Sequence, residues 1–221
     1  MAELRQEDSK VEVRGWEARY YDLLMNLITF GWYPKFIRRV IRDLELKAGD
    51  RILDLGAGTG RNALLMREYI GDSGEIVGLE IGPEMQAQFL QKSIPFDNIH
   101  LENLRIDELL PYKERFDLVF ISFVLHGFIP KKREQIIKNA YNALKPGGIF
   151  AILDYNEFEV DSAPWYIRFA IRKVECPLAE NFIGQDLKGM LERAGFGAFE
   201  TKTYFKNHLR LLKAKKVPKE K

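Results

Sequence analysis

The sequence has one cysteine, three histidines and almost no net charge, and each scarcity excludes a class of protein. Cys176 cannot form a disulfide within the chain, so the composition indicates a reducing compartment and we expect a cytoplasmic protein. One cysteine and three scattered histidines leave no metal-ligand spacing, so no metal site is expected. The 34 basic and 32 acidic side chains give a net charge of +2. Nucleic-acid-binding surfaces usually show a strong basic bias, so no nucleic-acid partner is expected.

Long apolar runs are also missing. The first residues, MAELRQED, are charged where a signal peptide would be apolar. The longest apolar candidate, residues 118–128, is far shorter than the roughly 18 residues that a membrane span needs. Yet 46% of the 221 residues are hydrophobic and 12% are aromatic, which is too apolar for a disordered chain. The length suits one large α/β domain.

From about residue 50, short apolar strands alternate with longer amphipathic stretches, a pattern typical of a parallel sheet with crossover helices. The pattern predicts strands at residues 51–55, 76–80, 99–102, 118–122 and 149–155, and helices at residues 18–29, 34–44, 61–69, 83–92, 131–144 and 184–194. Proline fits several helix starts, and Gly71, Gly147 and Gly195 fit helix ends. Residues 199–205 and 208–214 are predicted to form an antiparallel hairpin.

The strongest motif is a glycine-rich loop after the first predicted strand, ILDLGAGTG at residues 52–60. Glycine is needed where the backbone turns sharply or where a ligand approaches the main chain. The spacing Gly-x-Gly-x-Gly differs from the Gly-x-Gly-x-x-Gly of dinucleotide sites. Asp54 before the loop places a negative charge where a pyrophosphate would lie, and Arg61 follows the loop where close helix packing is needed. The loop therefore favours a cationic ligand.

The pattern Asp54-x-Gly56-x-Gly58-x-Gly60 resembles motif I of class I S-adenosylmethionine-dependent methyltransferases. The resemblance implies that the loop, including Ala57, cradles the methionine part of the cofactor. It also implies that Asp54 helps to hold the cofactor's ammonium group. S-adenosyl-L-methionine is then the cofactor and S-adenosylhomocysteine the product.

The resemblance extends to the ends of other strands. Glu80 follows the second strand, twenty residues after Gly60, and its two carboxylate oxygens would accept both ribose hydroxyls. Ile81 would pack on one face of the adenine. Ser122 and Phe123, after the fourth strand, would flank the methionine part of the cofactor.

The residue that reads the adenine amino group is expected after the third strand. Asn103 and Asp107 are both candidates, Leu104 can offer its backbone, and Asn103 is favoured. Asp107 with Glu108 is alternatively an acidic pair at a helix start. The Leu-Pro-Tyr at residues 110–112 matches the end of the family's motif.

These matches span about residues 50–156 and imply a Rossmann-like fold. The expected fold is a doubly wound, mostly parallel seven-stranded sheet with an antiparallel C-terminal hairpin and helices on both faces. We expect a single domain with an N-terminal helical cap at residues 1–48 and a cofactor-binding core at residues 49–156. Residues 157–221 would supply a lid segment, a helix and the hairpin.

The acceptor is less strongly indicated, because methyl transfer from a sulfonium depends largely on alignment. Residues 122–125, SFVL, lack the Asn/Asp-Pro-Pro-aromatic motif of nucleic-acid amino-methyltransferases. Apolar flanks favour a small hydrophobic acceptor. The stretch YYDLLMNLITFG at residues 20–31 resembles the ubiquinone/menaquinone biosynthesis C-methyltransferases of the methyltransferase type 11 group. That resemblance implies that Tyr21 reaches the cofactor's carboxylate and favours C- or O-methylation of a quinol-like molecule.

Other readings of the same residues stay open. A phospholipid or other amine N-methyltransferase would use the same frame, and a regulatory protein that binds the cofactor without turnover would show the same motifs. His126, just past the fourth strand, is the candidate base for a phenol proton, with loop packing as the alternative. Aromatic and basic residues alternate over residues 165–173, which fits either peripheral membrane contact or a helix with snorkelling arginines.

Overall fold

A computed structural model describes residues 31–169, 171–172 and 177–217. Its strands are β1 (Arg51–Leu55), β2 (Glu75–Leu79), β3 (Ile99–Glu102), β4 (Phe116–Ser122), β5 (Leu144–Tyr155), β6 (Phe196–Tyr204) and β7 (Leu209–Lys216). They form a seven-stranded sheet in the order β3-β2-β1-β4-β5-β7-β6. Strands β1 to β5 pair in parallel, and β7 pairs antiparallel with both β5 and β6. The expected fold class is confirmed.

The described helices are α1 (Trp32–Asp43), α2 (Arg61–Ile70), α3 (Pro83–Ser93), α4 (Pro130–Ala143), α5 (Trp165–Phe169), α6 (Pro177–Ile183) and α7 (Leu187–Ala194). Two 3₁₀ turns lie at Leu125–Gly127 and Val160–Ser162. Helices α1 to α3 pack on one face of the sheet, and α4, α6 and α7 pack on the other. Because both faces are covered, the central strands are almost continuously buried.

The order of the strands fixes the place of the site. Strand β1 pairs with β2 on one side and with β4 on the other. The strands from β1 to β3 are therefore added toward one edge of the sheet, and those from β4 onward are added toward the other edge. Open parallel sheets bind ligands in the crevice at the carboxyl ends of the strands beside such a switch point. The carboxyl ends of β1, β2, β4 and β5 therefore define the candidate site.

The predicted helix at residues 184–194 is wrong in its first turn. Helix α6 ends at Ile183, and α7 begins only at Leu187. Asp186 caps α7 because its Oδ1 accepts a hydrogen bond from the Gly189 backbone N–H at 2.9 Å. The end of this helix at Gly195 is confirmed, with a φ of 100° at that glycine.

Gly147 does not end a helix, in contrast to the prediction. Helix α4 ends at Ala143, and Gly147 lies within β5 with a φ of 78°. Phe116 and Leu118 on β4 are paired with Leu144 and Ile149 on β5, so β5 carries extra residues between its two pairings. Gly147 lies in the resulting β-bulge, where its positive φ is allowed. The acidic pair at residues 107–108 likewise begins no helix, because that segment is a turn.

The C-terminal hairpin is confirmed, but each strand is longer than predicted at its outer end and one residue shorter at the turn. Strand β6 begins at Phe196, three residues earlier than predicted, because a bulge between Gly197 and Glu200 continues its pairing with β7. The turn holds three consecutive residues with positive φ, Phe205, Lys206 and Asn207. The turn places Phe205 against Phe36 of α1, with ring centroids 5.0 Å apart.

Some expectations fall outside the described residues, among them the helix at residues 18–29 and Tyr21. In the described part of the chain, no helix is long and apolar enough to cross a membrane. The same residues contain no group of three or more His, Cys, Asp or Glu side chains arranged to hold a metal ion.

Candidate cofactor and acceptor site

The three glycines of the loop all have positive φ, at 73°, 54° and 79° for Gly56, Gly58 and Gly60. A Cβ atom on Gly56 would lie 2.9 Å from Val124, and one on Gly60 would lie 2.9 Å from Phe89. These two glycines are needed for packing as well as for backbone conformation. A Cβ on Gly58 would meet nothing within 4 Å. Gly58 therefore faces open space, where a ligand can approach the backbone.

The loop is held to the end of β2. The Gly56 and Ala57 backbone N–H groups both donate to the Leu79 carbonyl, at 3.0 and 2.9 Å. The Gly60 N–H donates to the Ala57 carbonyl at 3.1 Å, and Lys92 Nζ donates to the Thr59 carbonyl at 3.1 Å. The backbone of the loop is thus ordered by the chain itself.

Glu80 stands at the carboxyl end of β2, and its carboxylate is fixed by backbone donors. Oε2 accepts a hydrogen bond from the Gly58 N–H at 3.0 Å. Oε1 accepts from the Ile81 and Gly82 N–H groups at 2.9 and 2.8 Å. A carboxylate has about four acceptor positions, and these three hydrogen bonds leave one on Oε2 for a hydroxyl of a diol. Ile81 is half-buried beside it.

Asp54 has a very different environment from Glu80. It is 1% exposed, and its Oδ2 has no hydrogen-bond partner among the described residues. Burial, together with the nearby charge of Glu80, raises the pKa of Asp54 to about 7. A buried carboxylate without a partner is costly, and a cationic group would satisfy it. The unpartnered carboxylate oxygen of Asp54 thus fits the ammonium group of S-adenosylmethionine.

The structure separates the two candidates for the adenine contact. Asp107 is nearly buried and is bound by Lys132 at 2.5 Å and by Arg105 at 3.2 Å. Burial opposes ionisation, but these two cations lower the pKa of Asp107. Asn103 is exposed just past β3, and the Leu104 N–H donates to the Glu102 carbonyl at 3.1 Å. Asp107 is occupied in an ion pair, which leaves Asn103 as the better candidate.

Aromatic rings line the site beside the end of β4. Ser122 and Phe123 are half-buried there, and Phe123 has a φ of 55°. The Phe123 ring lies 6.4 Å from Phe36 of α1, and Phe36 also contacts Tyr204 at 5.3 Å. With Phe205, these rings join α1, the end of β4 and the hairpin into one aromatic cluster. The sequence analysis missed Phe36 and Phe205, because their contacts depend on the tertiary fold.

His126 is buried and held by a carboxylate at the end of the adjacent strand. It is 6% exposed, and its Nδ1 lies 2.8 Å from Asp154 Oδ1. The His126 backbone N–H donates to Asp154 Oδ2 at 3.1 Å, and the Tyr155 N–H donates to Oδ1 at 2.8 Å. With Nδ1–H donating to the carboxylate, Nε2 is the basic atom of the ring. This geometry suits a base positioned by a carboxylate.

The sequence analysis missed Asp154. The sequence signal for it was an acidic residue directly after the apolar run Ala151-Ile152-Leu153, near the carboxyl end of a predicted parallel strand. Asp54 is likewise the penultimate residue of its strand, β1, but the glycines that follow it identified it in the sequence.

Arg133 of α4 is fully buried and ties the His126 turn to α6. Its Nη2 donates to the His126 and Leu178 carbonyls at 3.1 and 2.9 Å. Its Nη1 donates to Asn181 Oδ1 at 2.9 Å and to Gln185. The guanidinium also lies over the Phe182 ring, at 5.1 Å. This network was missed as well, since Arg133 lies in a highly charged helical stretch.

Comparison with known proteins assigns a family. A Methyltransferase domain model matches residues 46–195. The chain is 33% identical over 152 residues to the demethylmenaquinone methyltransferase of Lactobacillus johnsonii, which covers 63% of this chain and 58% of that one. It is 32% identical over 151 residues to the ubiquinone/menaquinone biosynthesis C-methyltransferase of Xanthomonas campestris, covering 65% and 57%. The chain thus spans less than two thirds of either relative. An uncharacterized methyltransferase of Synechocystis is 29% identical and covers 91% and 95%.

Solved structures agree on the fold. A S-adenosylmethionine-dependent methyltransferase from Aquifex aeolicus superposes with a TM-score of 0.64 at 20% identity, covering 82% of this chain and 89% of that one. Human N-acetylserotonin methyltransferase, solved in complex with S-adenosylmethionine, gives a TM-score of 0.59 at 21% identity, covering 76% and 48%. The chain belongs to the methyltransferase domain family.

Proposed function

We propose that the protein is an enzyme that transfers a methyl group from S-adenosylmethionine to a small, hydrophobic, quinol-like acceptor, on carbon or oxygen. The observation that carries this proposal is the buried His126–Asp154 pair at the carboxyl ends of β4 and β5. A base beside apolar walls suits an acceptor that carries an acidic hydroxyl on an apolar ring. The names of the quinone-methylating relatives add support.

The cofactor would lie across the ends of β1, β2 and β4. Asp54 would accept the ammonium group, Gly58 would let the methionine part approach the backbone, and Glu80 would accept the ribose hydroxyls. The other proposed contacts are Tyr21, Gly56, Ala57, Gly60, Ile81, Asn103, Leu104, Ser122 and Phe123. Of these, Tyr21 lies outside the described residues.

Bound S-adenosylmethionine supplies an electrophilic methyl group on a sulfonium. His126 Nε2 would take the proton of the acceptor hydroxyl, which makes the acceptor electron-rich at oxygen and at the adjacent ring carbons. Asp154 would hold the ring in place and stabilise the imidazolium that forms. The neighbouring aromatic side chains Tyr155 and Phe182, whose ring centroids lie 5.2 and 6.5 Å from that of His126, would limit access of water.

An amine of a phospholipid is the second candidate acceptor, and exposed side chains on α5 favour it. Trp165 and Phe169 are 72% and 58% exposed and lie one turn apart on the same side of this helix. They also support the proposal of peripheral membrane contact. Arg172 just beyond is engaged with Asp161 and Glu180, at 2.9 and 3.0 Å. A cytoplasmic location and the division into cap, core and lid segment stay predictions.

The test is methyl transfer from S-adenosylmethionine to two acceptors, read by mass spectrometry of the products. 1,4-Naphthalenediol represents the quinols, and phosphatidylethanolamine in vesicles represents the amines. We expect a methylated naphthalenediol. Product from the vesicles alone would favour the amine reading, and cofactor binding without any product would favour the regulatory one.

A further inference from the structure

Arg210 on β7 is a buried cation, and two of its three guanidinium nitrogens have no hydrogen-bond partner within the described residues. The residue is 3% exposed, and its Nη1 donates to Glu157 Oε1 at 2.8 Å. Its Nε and Nη2 are also buried, and neither has a hydrogen-bond partner in residues 31–169, 171–172 and 177–217. Buried charged donors without acceptors are costly, so a folded chain rarely leaves two on one side chain.

The two unused donors form a defined recognition surface. The Nε–H and Nη2–H bonds of a guanidinium point in the same direction, and together they bind a carboxylate or another oxyanion with two parallel hydrogen bonds. Glu157 contacts only Nη1 and leaves this edge unoccupied. The edge presents only N–H donors on a cationic group, so it selects for a negatively charged acceptor.

The position of Arg210 links this surface to the candidate base. Arg210 is the cross-strand partner of Asp154 in the antiparallel pairing of β5 and β7. Directly opposed residues of such a pair project their side chains from the same face of the sheet, with Cβ atoms about 4.5–5.5 Å apart. The Asp154 oxygens are engaged by His126 and by the Tyr155 N–H. Arg210 thus lies on the strand next to β5, whose Asp154 holds the candidate base His126.

We infer that the Nε–Nη2 edge of Arg210 binds an oxyanion of the methyl acceptor. This inference rests on the proposed function and names the chemistry of its substrate. When His126 takes the proton of an acceptor hydroxyl, the electron pair stays on that oxygen, and Arg210 stabilises the resulting phenolate. A carboxylate on the acceptor ring presents the same chemistry to the same edge. Arg210 therefore selects acceptors that carry, or can form, an anionic oxygen.

Entry of the acceptor requires a local movement around Glu157. Both unused nitrogens are shielded from water, so an oxyanion reaches them only after a local shift of the surrounding chain. Glu157 is the second residue after β5, and its side chain is 42% exposed. Its carboxylate also competes for the guanidinium, so its neutralisation favours an incoming anion.

The experiment is a calorimetric titration of the protein saturated with S-adenosylhomocysteine. The probes share one ring system: 2-naphthoate carries a carboxylate, 2-naphthol carries a hydroxyl, and 2-methylnaphthalene carries neither. R210K keeps the charge and removes the fork, and E157Q removes the competing carboxylate. R115K is the matched control, because Arg115 is a partly exposed arginine in an ion pair with Glu75.

We expect R210K to raise the Kd of at least one oxygen-bearing probe more than tenfold and to change that of 2-methylnaphthalene less than twofold. An effect on 2-naphthoate alone assigns the edge to a carboxylate, and an effect on 2-naphthol alone assigns it to a phenolate. E157Q should lower the same Kd, and R115K should change none.

Equal changes for all three probes, no change, or no binding of either oxygen-bearing probe to the wild type would overturn the inference. If R210K loses S-adenosylhomocysteine binding and so fails to fold, E157Q decides: an unchanged Kd for both oxygen-bearing probes overturns it. Failure of the proposed function gives a different result, namely discrimination among the probes without methylation of 1,4-naphthalenediol.

Discussion

Asp54 and Glu80 lie at the carboxyl ends of neighbouring strands, yet their carboxylates have opposite environments. Glu80 accepts three backbone hydrogen bonds, whereas Asp54 Oδ2 has no hydrogen-bond partner within the described residues. Two carboxylates in unlike surroundings serve different roles. Glu80 is organised before the cofactor arrives, and Asp54 requires a cation.

The affinity for S-adenosylmethionine should therefore rise with pH. Burial and the nearby charge of Glu80 raise the pKa of Asp54 to about 7, and the proposed contact with the ammonium group needs the ionised carboxylate. We expect the Kd to fall from pH 6 to pH 8 in calorimetric titrations. D54N should bind more than tenfold more weakly and lose this dependence. A wild-type Kd that does not change across this range would contradict the role of Asp54.

The same carboxyl group should destabilise the free protein at high pH. Its pKa in the folded chain is raised from the ordinary value of 3.8 to about 7. Its favourable contribution to the free energy of unfolding is therefore complete below about pH 3.8 and is lost as the pH rises through about 7. D54N should therefore raise the free energy of unfolding of the free protein at pH 8, by an amount on the order of 2–4 kcal/mol. At pH 4 the two proteins should be nearly equal. Thermal unfolding at both pH values measures this, and a D54N protein that is less stable at pH 8 would refute it.

Gly56 and Gly58 should respond differently to an added methyl group. Alanine at Gly58 is strained only by its positive φ, which costs about 1–2 kcal/mol. Alanine at Gly56 also meets Val124 at 2.9 Å, so G56A should unfold at lower denaturant concentration than G58A. V124A should recover part of that loss in the double variant. Strict additivity of G56A and V124A would exclude this contact as the cause.

Asp154 should act through His126 as a positioning residue. D154N removes the carboxylate that accepts from Nδ1, so the ring loses its preferred tautomer and orientation. We expect kcat to fall at least tenfold and the pH profile of kcat to shift, with the KM for S-adenosylmethionine nearly unchanged. E68Q is a suitable control, since Glu68 is exposed and its contact with Arg38 is a surface ion pair with the charged atoms 3.7 Å apart. A parallel loss of cofactor affinity in D154N would indicate a structural role instead.

The sequence predicted the frame of the site because its signals are local. The glycines of the loop, the acid before them and the apolar strands each follow from neighbouring residues, and the strands at residues 51–55 and 99–102 agree with the structure to the residue. Asp154 and Arg210 are 56 residues apart and meet only through an antiparallel pairing, which no local pattern reveals. The apolar pattern continues without a break from α6 into α7, so it does not mark the boundary between them. The boundary is set by Asp186, which caps the start of α7.

The most direct test of the account compares methyl transfer to 1,4-naphthalenediol by the wild type and by H126A under single-turnover conditions. A general base contributes about 10²–10⁴-fold to rate. We predict a methylated product from the wild type and a rate at least about 100-fold lower for H126A, with the Kd for S-adenosylmethionine unchanged. Equal rates for the two proteins, or no product from the wild type, would contradict the account.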